Sequence, residues 1–151
     1  LWVSMCSMCA LTAISSETGV VMNALFYIGF GLFIYGFCTE IIADNQKSKF
    51  RSIPENRDKF ITTGLWAKSR HPNFFGEIVL WAGIAVMSFS SLNGLQYLTL
   101  ISPVFTYLLL VYVSGVRMLE ARADKKWGQD EEYVKYKSET PVLMIKYLGR
   151  P

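Results

Sequence analysis

Apolar residues fall in four blocks, 1–14, 20–43, 74–92 and 95–116, set apart by the short polar turns SSETG (15–19) and SSLNG (90–94) and by one long polar stretch between the second block and the third. At about 1.5 Å of rise per residue, the last three blocks are long enough to cross roughly 30 Å of hydrocarbon as helices. The pattern predicts an all-α chain: a polytopic transmembrane helix bundle with helices at about 1–14, 20–50, 72–90 and 95–116, followed by a cytoplasmic helical tail over 117–151, all in one membrane domain. The first block is short, and it opens without Met, a basic n-region or a small-residue cleavage site. It is therefore expected to be the remainder of a membrane helix, and the chain the C-terminal part of a larger bundle.

Local signals refine the boundaries. No proline interrupts the second helix before Pro54, so it is expected to leave the membrane near Ile42 and run on through DNQKSKFR. The stretch IPENRDKFITTG is rich in turn and cap formers. Pro72 suits the first residue of a new helix, where a missing N–H costs nothing. Asn93-Gly94 makes a turn, and Pro103 is expected to kink the returning helix. The tail is expected to be helical to about Lys137, after which TPVLMIKYL lies back on the membrane surface. Gly29, Gly31 and Gly36 predict close helix contact, and Cys6, Cys9 and Cys38 read as small packing residues, with no metal site.

Charge orients the bundle. All 15 Lys and Arg lie in 44–72 and 117–151, and neither short turn has any. Under the positive-inside rule both basic segments face the cytoplasm, which is the parity the spans require. Membrane lipids are expected partners of these cations, and no nucleic acid is.

Three polar groupings stand at the membrane edge. Glu40, Asp44, Lys47 and Arg51 form a stripe about 60° wide on one helix face, either a salt-bridge ladder or part of a site. Arg70 and His71 precede a helix N-terminus, where they make an anion site or else cap the helix and reach headgroups. Asn73, Glu77 and Trp81 follow on one face, and Glu77 is carried a full turn into an apolar run, where an unpaired carboxylate is costly. Arg117, Glu120 and Asp124 form the third grouping. One polar cavity accounts for all three more simply than separate salt bridges do, and it would suit a ligand with an apolar reactive part and an anionic cofactor.

The elements E-x-x-x-D-x-Q-K-x-x-F-R (Glu40 to Arg51), F-x-x-T-G-L-W-x-x-S-R-H-P-N-F-F-G-E (Phe60 to Glu77), S-G-x-x-x-L-E-x-R-A-D-x-x-W-G (Ser114 to Gly128) and the following Y-x-x-Y-x-x-x-T-P-V-L carry a resemblance. From about Tyr35 to Pro141 the chain resembles the C-terminal domain of the steroid 5-alpha-reductase-like membrane proteins, especially their bacterial and protist branch of unassigned function. The resemblance implies NADPH held from the cytoplasmic side and reduction of a carbon–carbon double bond in a lipid-like substrate. It places Asp44, Lys47 and Arg51 by cofactor polar and phosphate groups, Asn73 and Glu77 by the nicotinamide end, and Arg117 and Glu120 closing the site; Arg70 and His71, just before the helix, are then expected at the pocket mouth, in contact with the cofactor. Ala121 stands where the animal steroid enzymes have a histidine, and no catalytic acid is assigned. Isoprenylcysteine carboxyl methyltransferases share a related R-H-P-x-Y-x-G stretch, so an S-adenosylmethionine-dependent membrane methyltransferase is the alternative. A non-catalytic lipid-binding protein is a further one.

Overall fold

The computed structural model describes residues 2–17, 19–113 and 115–145, with side chains from Ser4 onward. Ser114 and the 146–148 end of TPVLMIKYL lie outside the described residues. Among the described residues every regular element is a helix, with no strand. The first block forms two short helices, α1 (Trp2–Cys6) and α2 (Met8–Ser15), broken at Ser7.

Helix α3 (Ala24–Ser52) starts four residues later than the apolar block, because Asn23 caps it. The Asn23 side chain accepts the Phe26 N–H at 3.2 Å and donates to Ser90 Oγ at 2.7 Å. Past the apolar run α3 continues unbroken to Ser52, as the lack of proline predicts. Helix α4 (Pro72–Ser88) has Pro72 in its first turn and tightens into 3₁₀ winding through Ser91. Then Asn93 and Gln96 form a capping box, and 3₁₀ winding over Gly94–Leu100 leads into α5 (Ile101–Leu108). Three stretches, Ala24–Ser52, Pro72–Ser91 and Gly94–Trp127, are long and apolar enough to cross a membrane.

Backbone contact joins α3 to α4. A Cβ on Gly36 would lie 2.5 Å from Gly76 O and Leu80 N, and one on Gly76 would lie 2.7 Å from Gly36 O and Glu40 N. Seven residues away along each helix, Gly29 and Gly83 repeat the arrangement, at 2.6 Å from Gly83 O and from Phe33 N respectively. Two reciprocal glycine pairs one heptad apart let antiparallel helices lie backbone to backbone. Gly31 takes no part, contrary to expectation: nothing lies within 4 Å of its would-be Cβ, because residue 31 faces away from the side that 29 and 36 share.

Small polar groups bind α1 and α2 to the return helix. Ser102 Oγ donates to Cys6 O at 2.6 Å, Thr106 Oγ1 to Cys6 Sγ at 3.2 Å, and Cys9 Sγ to Thr99 O at 2.7 Å. Cys6 and Cys9 thus pack and bridge at a buried seam. Pro103 stands in the first turn of α5, where its missing amide costs little. The larger irregularity is downstream, where Leu109–Val113 winds as a π-helix before Gly115 starts α6 (Val116–Trp127).

Beyond the membrane edge α3 carries the loop that comes after it. Trp66 Nε1–H donates to Ala43 O at 3.0 Å, and Gln46 Oε1 accepts the Leu65 N–H at 2.9 Å. Ala43, Ile61 and Trp66 form a small core there, with Phe50 and Leu65 against it. The tail is helical in two pieces, α6 and α7 (Glu131–Glu139), separated at Gly128. The segment after α7 does not simply lie on the surface: its carbonyls at 141–143 bond to Ser69–His71.

Candidate functional site

Where α3 passes the lead-in to α4, a cavity of about 140 Å³ forms between the 60–66 loop, α6 and α7. Lys47 and Arg51 reach it from α3, Arg70, His71 and Asn73 from the start of α4, Glu120 from α6, and Tyr133 and Tyr136 from α7. Six of the nine expected site residues therefore share one cavity. Each arrives by local geometry: Lys47 and Arg51 are one turn apart on the strip of α3 next to the loop, and Glu120 is on the inward side of α6 with Leu119 and Ala123.

Glu120 organises the inner wall. One carboxylate oxygen meets the Arg70 guanidinium, the other lies 2.7 Å from His71 Nε2, and Lys137 Nζ stands 3.9 Å away. The Arg70 and His71 side chains are only 11% and 9% exposed, so this is a buried charge cluster, held by charge-assisted hydrogen bonds. His71 is N-cap of α4 without using its side chain as a cap, so the cap-only alternative for His71 does not hold.

Two atoms in this wall are unsatisfied. Arg70 Nε and Asn73 Oδ1 are buried without a hydrogen-bond partner among the described residues. Leaving such a group unmade costs about 1–3 kcal/mol, so each calls for a partner, a water or a ligand. Lys47 and Arg51 make no salt bridge among the described residues, although Arg51 is within electrostatic reach of Asp58. Lys47 Nζ lies 5.5 Å from the Trp66 ring centroid, and Arg51 Nη1 donates to Arg57 O at 2.8 Å. With three cations against one carboxylate, the lining favours an anion.

The remaining expected residues are elsewhere. Asp44 is exposed, and it lies with Glu40 and Glu77 in a separate acidic group within electrostatic reach of one another, beside Trp81. That group forms because the Gly36–Gly76 crossing brings the Glu40 backbone against α4. Arg117 is exposed at the start of α6 and does not line the cavity. The expected single cavity is thus two neighbouring groups, since the 60–66 loop covers the Ala43, Lys47 and Phe50 strip of α3 and leaves Asp44 outside it.

Aromatic walls complete the cavity. The Phe60 centroid is 5.2 Å from Tyr133, 5.8 Å from Tyr136 and 5.9 Å from Trp127. Tyr136 O–H donates to Trp66 O at 2.5 Å, Tyr133 O–H to Asp124 at 3.2 Å, and Trp127 Nε1–H to Asp58 O at 2.7 Å. Burial, reinforced by the Asp124 charge, pushes the Tyr133 phenol up to about 12, and burial raises that of Tyr136 as well. Both phenols stay protonated at neutral pH. Sequence reasoning did not assign these tyrosines to the site, although Y-x-x-Y at i, i+3 puts both on one face of α7.

The DUF1295 family model, described as a protein of unknown function, matches residues 1–140. The chain belongs to the DUF1295 family. It is thereby one of the steroid 5-alpha-reductase-like membrane proteins. This DUF1295 chain is 32% identical over 92 residues, 59% of its length, to "Probable O-methyltransferase ustE" of Ustilaginoidea virens. It is 28% identical over 130 residues, 85% of its length, to "3-oxo-5-alpha-steroid 4-dehydrogenase 1" of Macaca fascicularis. With the Homo sapiens protein of the same name it shares 28% identity over 119 residues, 78% of its length. It covers only 32%, 43% and 41% of these three relatives. No solved structure matches.

Proposed function

We propose that this chain forms the cofactor-binding part of a membrane reductase that uses NADPH to reduce a carbon–carbon double bond in a lipid-like substrate. The observation that carries the proposal is the pairing of two polar atoms buried without a hydrogen-bond partner among the described residues, Arg70 Nε and Asn73 Oδ1, with the cations Lys47 and Arg51, which make no salt bridge there, in one cavity. These groups fit the polar end of a dinucleotide. Fixed cations suit its phosphates, and a carboxamide oxygen accepts from an amide or a sugar hydroxyl. Bound there, NADPH would supply the hydride. Arg70, His71 and Glu120 hold one another rigid and so orient the ligand, while Phe60, Trp66, Trp127, Tyr133 and Tyr136 exclude water. A cavity of about 140 Å³ is below the roughly 300–1,000 Å³ of sites that enclose a whole drug-sized ligand. The cofactor's remainder therefore extends past it, and Asp44 and Glu77 are the groups we assign to that part. Arg117, turned outward, is not assigned. The basic loop and the tail would face the cytoplasm, the substrate would enter from the lipid, and the polarising acid is unassigned.

The aromatic lining and the methyltransferase relative favour a second reading, S-adenosylmethionine, whose sulfonium would gain from aromatic faces. The excess of lining cations opposes it. Calorimetric titration of the full-length protein in detergent with each cofactor decides: saturable NADPH binding supports the reductase, and S-adenosylmethionine binding alone overturns it.

A further inference from the structure

The Ser69–His71 turn is held from outside its own helix. Arg70 N–H donates to Pro141 O at 2.9 Å, His71 N–H to Val142 O at 3.1 Å, and Ser69 Oγ to Leu143 O at 2.8 Å. Consecutive amides meeting consecutive carbonyls is not a β ladder, in which successive residues face opposite ways. Both amides precede the α4 ladder, and the tail supplies each with a carbonyl that the helix does not. Ser69 is fully buried, and its Oγ also accepts the His71 N–H at 3.3 Å. One hydroxyl thereby joins tail and turn. The same tail is tied to the other end of the segment, through Tyr136 O–H on Trp66 O at 2.5 Å.

We propose that residues 141–143 are a working part of the ligand site, a clasp that fixes the Ser69–His71 backbone so that Arg70 and His71 hold Glu120 and leave Arg70 Nε and Asn73 Oδ1 free for the ligand. Ser69 is its positioning residue. It touches no ligand, and it acts through the two side chains that come next in the chain. Nothing in the α3–α4 glycine seam depends on the clasp, because those contacts are made at Gly29, Gly36, Gly76 and Gly83.

The clasp's role in binding rests on the proposed nucleotide function, and its geometric half can be read without a ligand. The 2.7 Å contact of His71 Nε2 with Glu120 predicts an imidazole N–H protected from exchange, and the NMR signal missing from a His71→Asn variant assigns it. In full-length protein in detergent, Ser69→Ala and a stop after Thr140 should each lose that protected signal. Each should also weaken binding of whichever nucleotide the parent binds, NADPH or S-adenosylmethionine, by at least about tenfold, with helix content kept. Ser69→Thr, which keeps the hydroxyl, should restore both. Retention of the signal and the affinity in both disabling variants, or a loss that merely tracks loss of helix content, would make the tail a structural brace and overturn the proposal. If the parent binds neither nucleotide, the function reading falls, while the imidazole signal still decides the clasp.

Discussion

Gly36 and Gly31 lie five residues apart on α3, and alanine at each should have opposite effects. At Gly36 a Cβ would stand 2.5 Å from two backbone atoms of α4, about 0.9 Å inside the 3.4 Å at which ordinary contact begins. Backbone cannot rotate away as a side chain can, so the helices must part by most of that distance at one end of the seam. A gap of about 0.5–1 Å forfeits a quarter to a half of each dispersion contact across it, and overpacking of this kind costs about 1–3 kcal/mol. The roughly 1 kcal/mol gained in helix propensity on replacing Gly by Ala offsets part of this. Net destabilisation of about 1–2 kcal/mol is expected for Gly36→Ala. Gly31→Ala, with nothing within 4 Å, keeps the propensity gain and should be neutral or stabilising. Equilibrium unfolding in mixed micelles, with far-UV circular dichroism, measures both. Equal effects at the two positions, or a stable Gly36→Ala, would refute the backbone-to-backbone crossing and with it the placement of Glu40 beside Glu77.

The site itself yields further expected outcomes. Glu120→Ala leaves the Arg70 guanidinium buried without its carboxylate, and should cost about 3–5 kcal/mol; a double-mutant cycle with Arg70→Met should recover much of that, and additive losses would show that the two are not paired. Arg51→Ala should weaken NADPH binding about tenfold or more, the worth of one charge-assisted bond, and unchanged affinity would return Arg51 to a headgroup role. Because the Tyr133 phenol is pushed up to about 12 in the folded chain, its contribution to stability is full below its ordinary value near 10 and is lost as pH rises through about 12. Tyr133→Phe should flatten that alkaline decline, as followed by helix content against pH, and an unchanged curve would place Tyr133 in water.

Much of the fold was legible because membrane helices obey composition. The three long spans, the Pro72 start and the unbroken run of α3 to Ser52 agree with the apolar blocks and the proline positions. The sequence put Arg70, His71 and Glu120 at one membrane level and in one expected cavity, but it named no pairing among them. Which of two close positions on a helix face enters the cavity was not legible, since Asp44 and Lys47 are three residues apart and the loop packed on Ala43 decides between them. Arg117 and Glu120 divide in the same way: only about 60° apart around α6, Glu120 lines the cavity and Arg117 is exposed outside it. The clasp was not legible because its acceptors are backbone carbonyls, which any sequence supplies. Gly31 misled because composition alone does not say which glycines face a partner.

Binding of an anionic dinucleotide to the unpartnered groups of the cavity is the point on which the proposed function stands. Trp66 and Trp127 both line the cavity, so energy transfer from tryptophan to the dihydronicotinamide of NADPH reports occupancy directly in the full-length protein. Saturable quenching that is weakened at least about tenfold in Asn73→Leu, with helix content kept, is the predicted result. Quenching that Asn73→Leu leaves untouched, or none at all while S-adenosylmethionine binds, would contradict it.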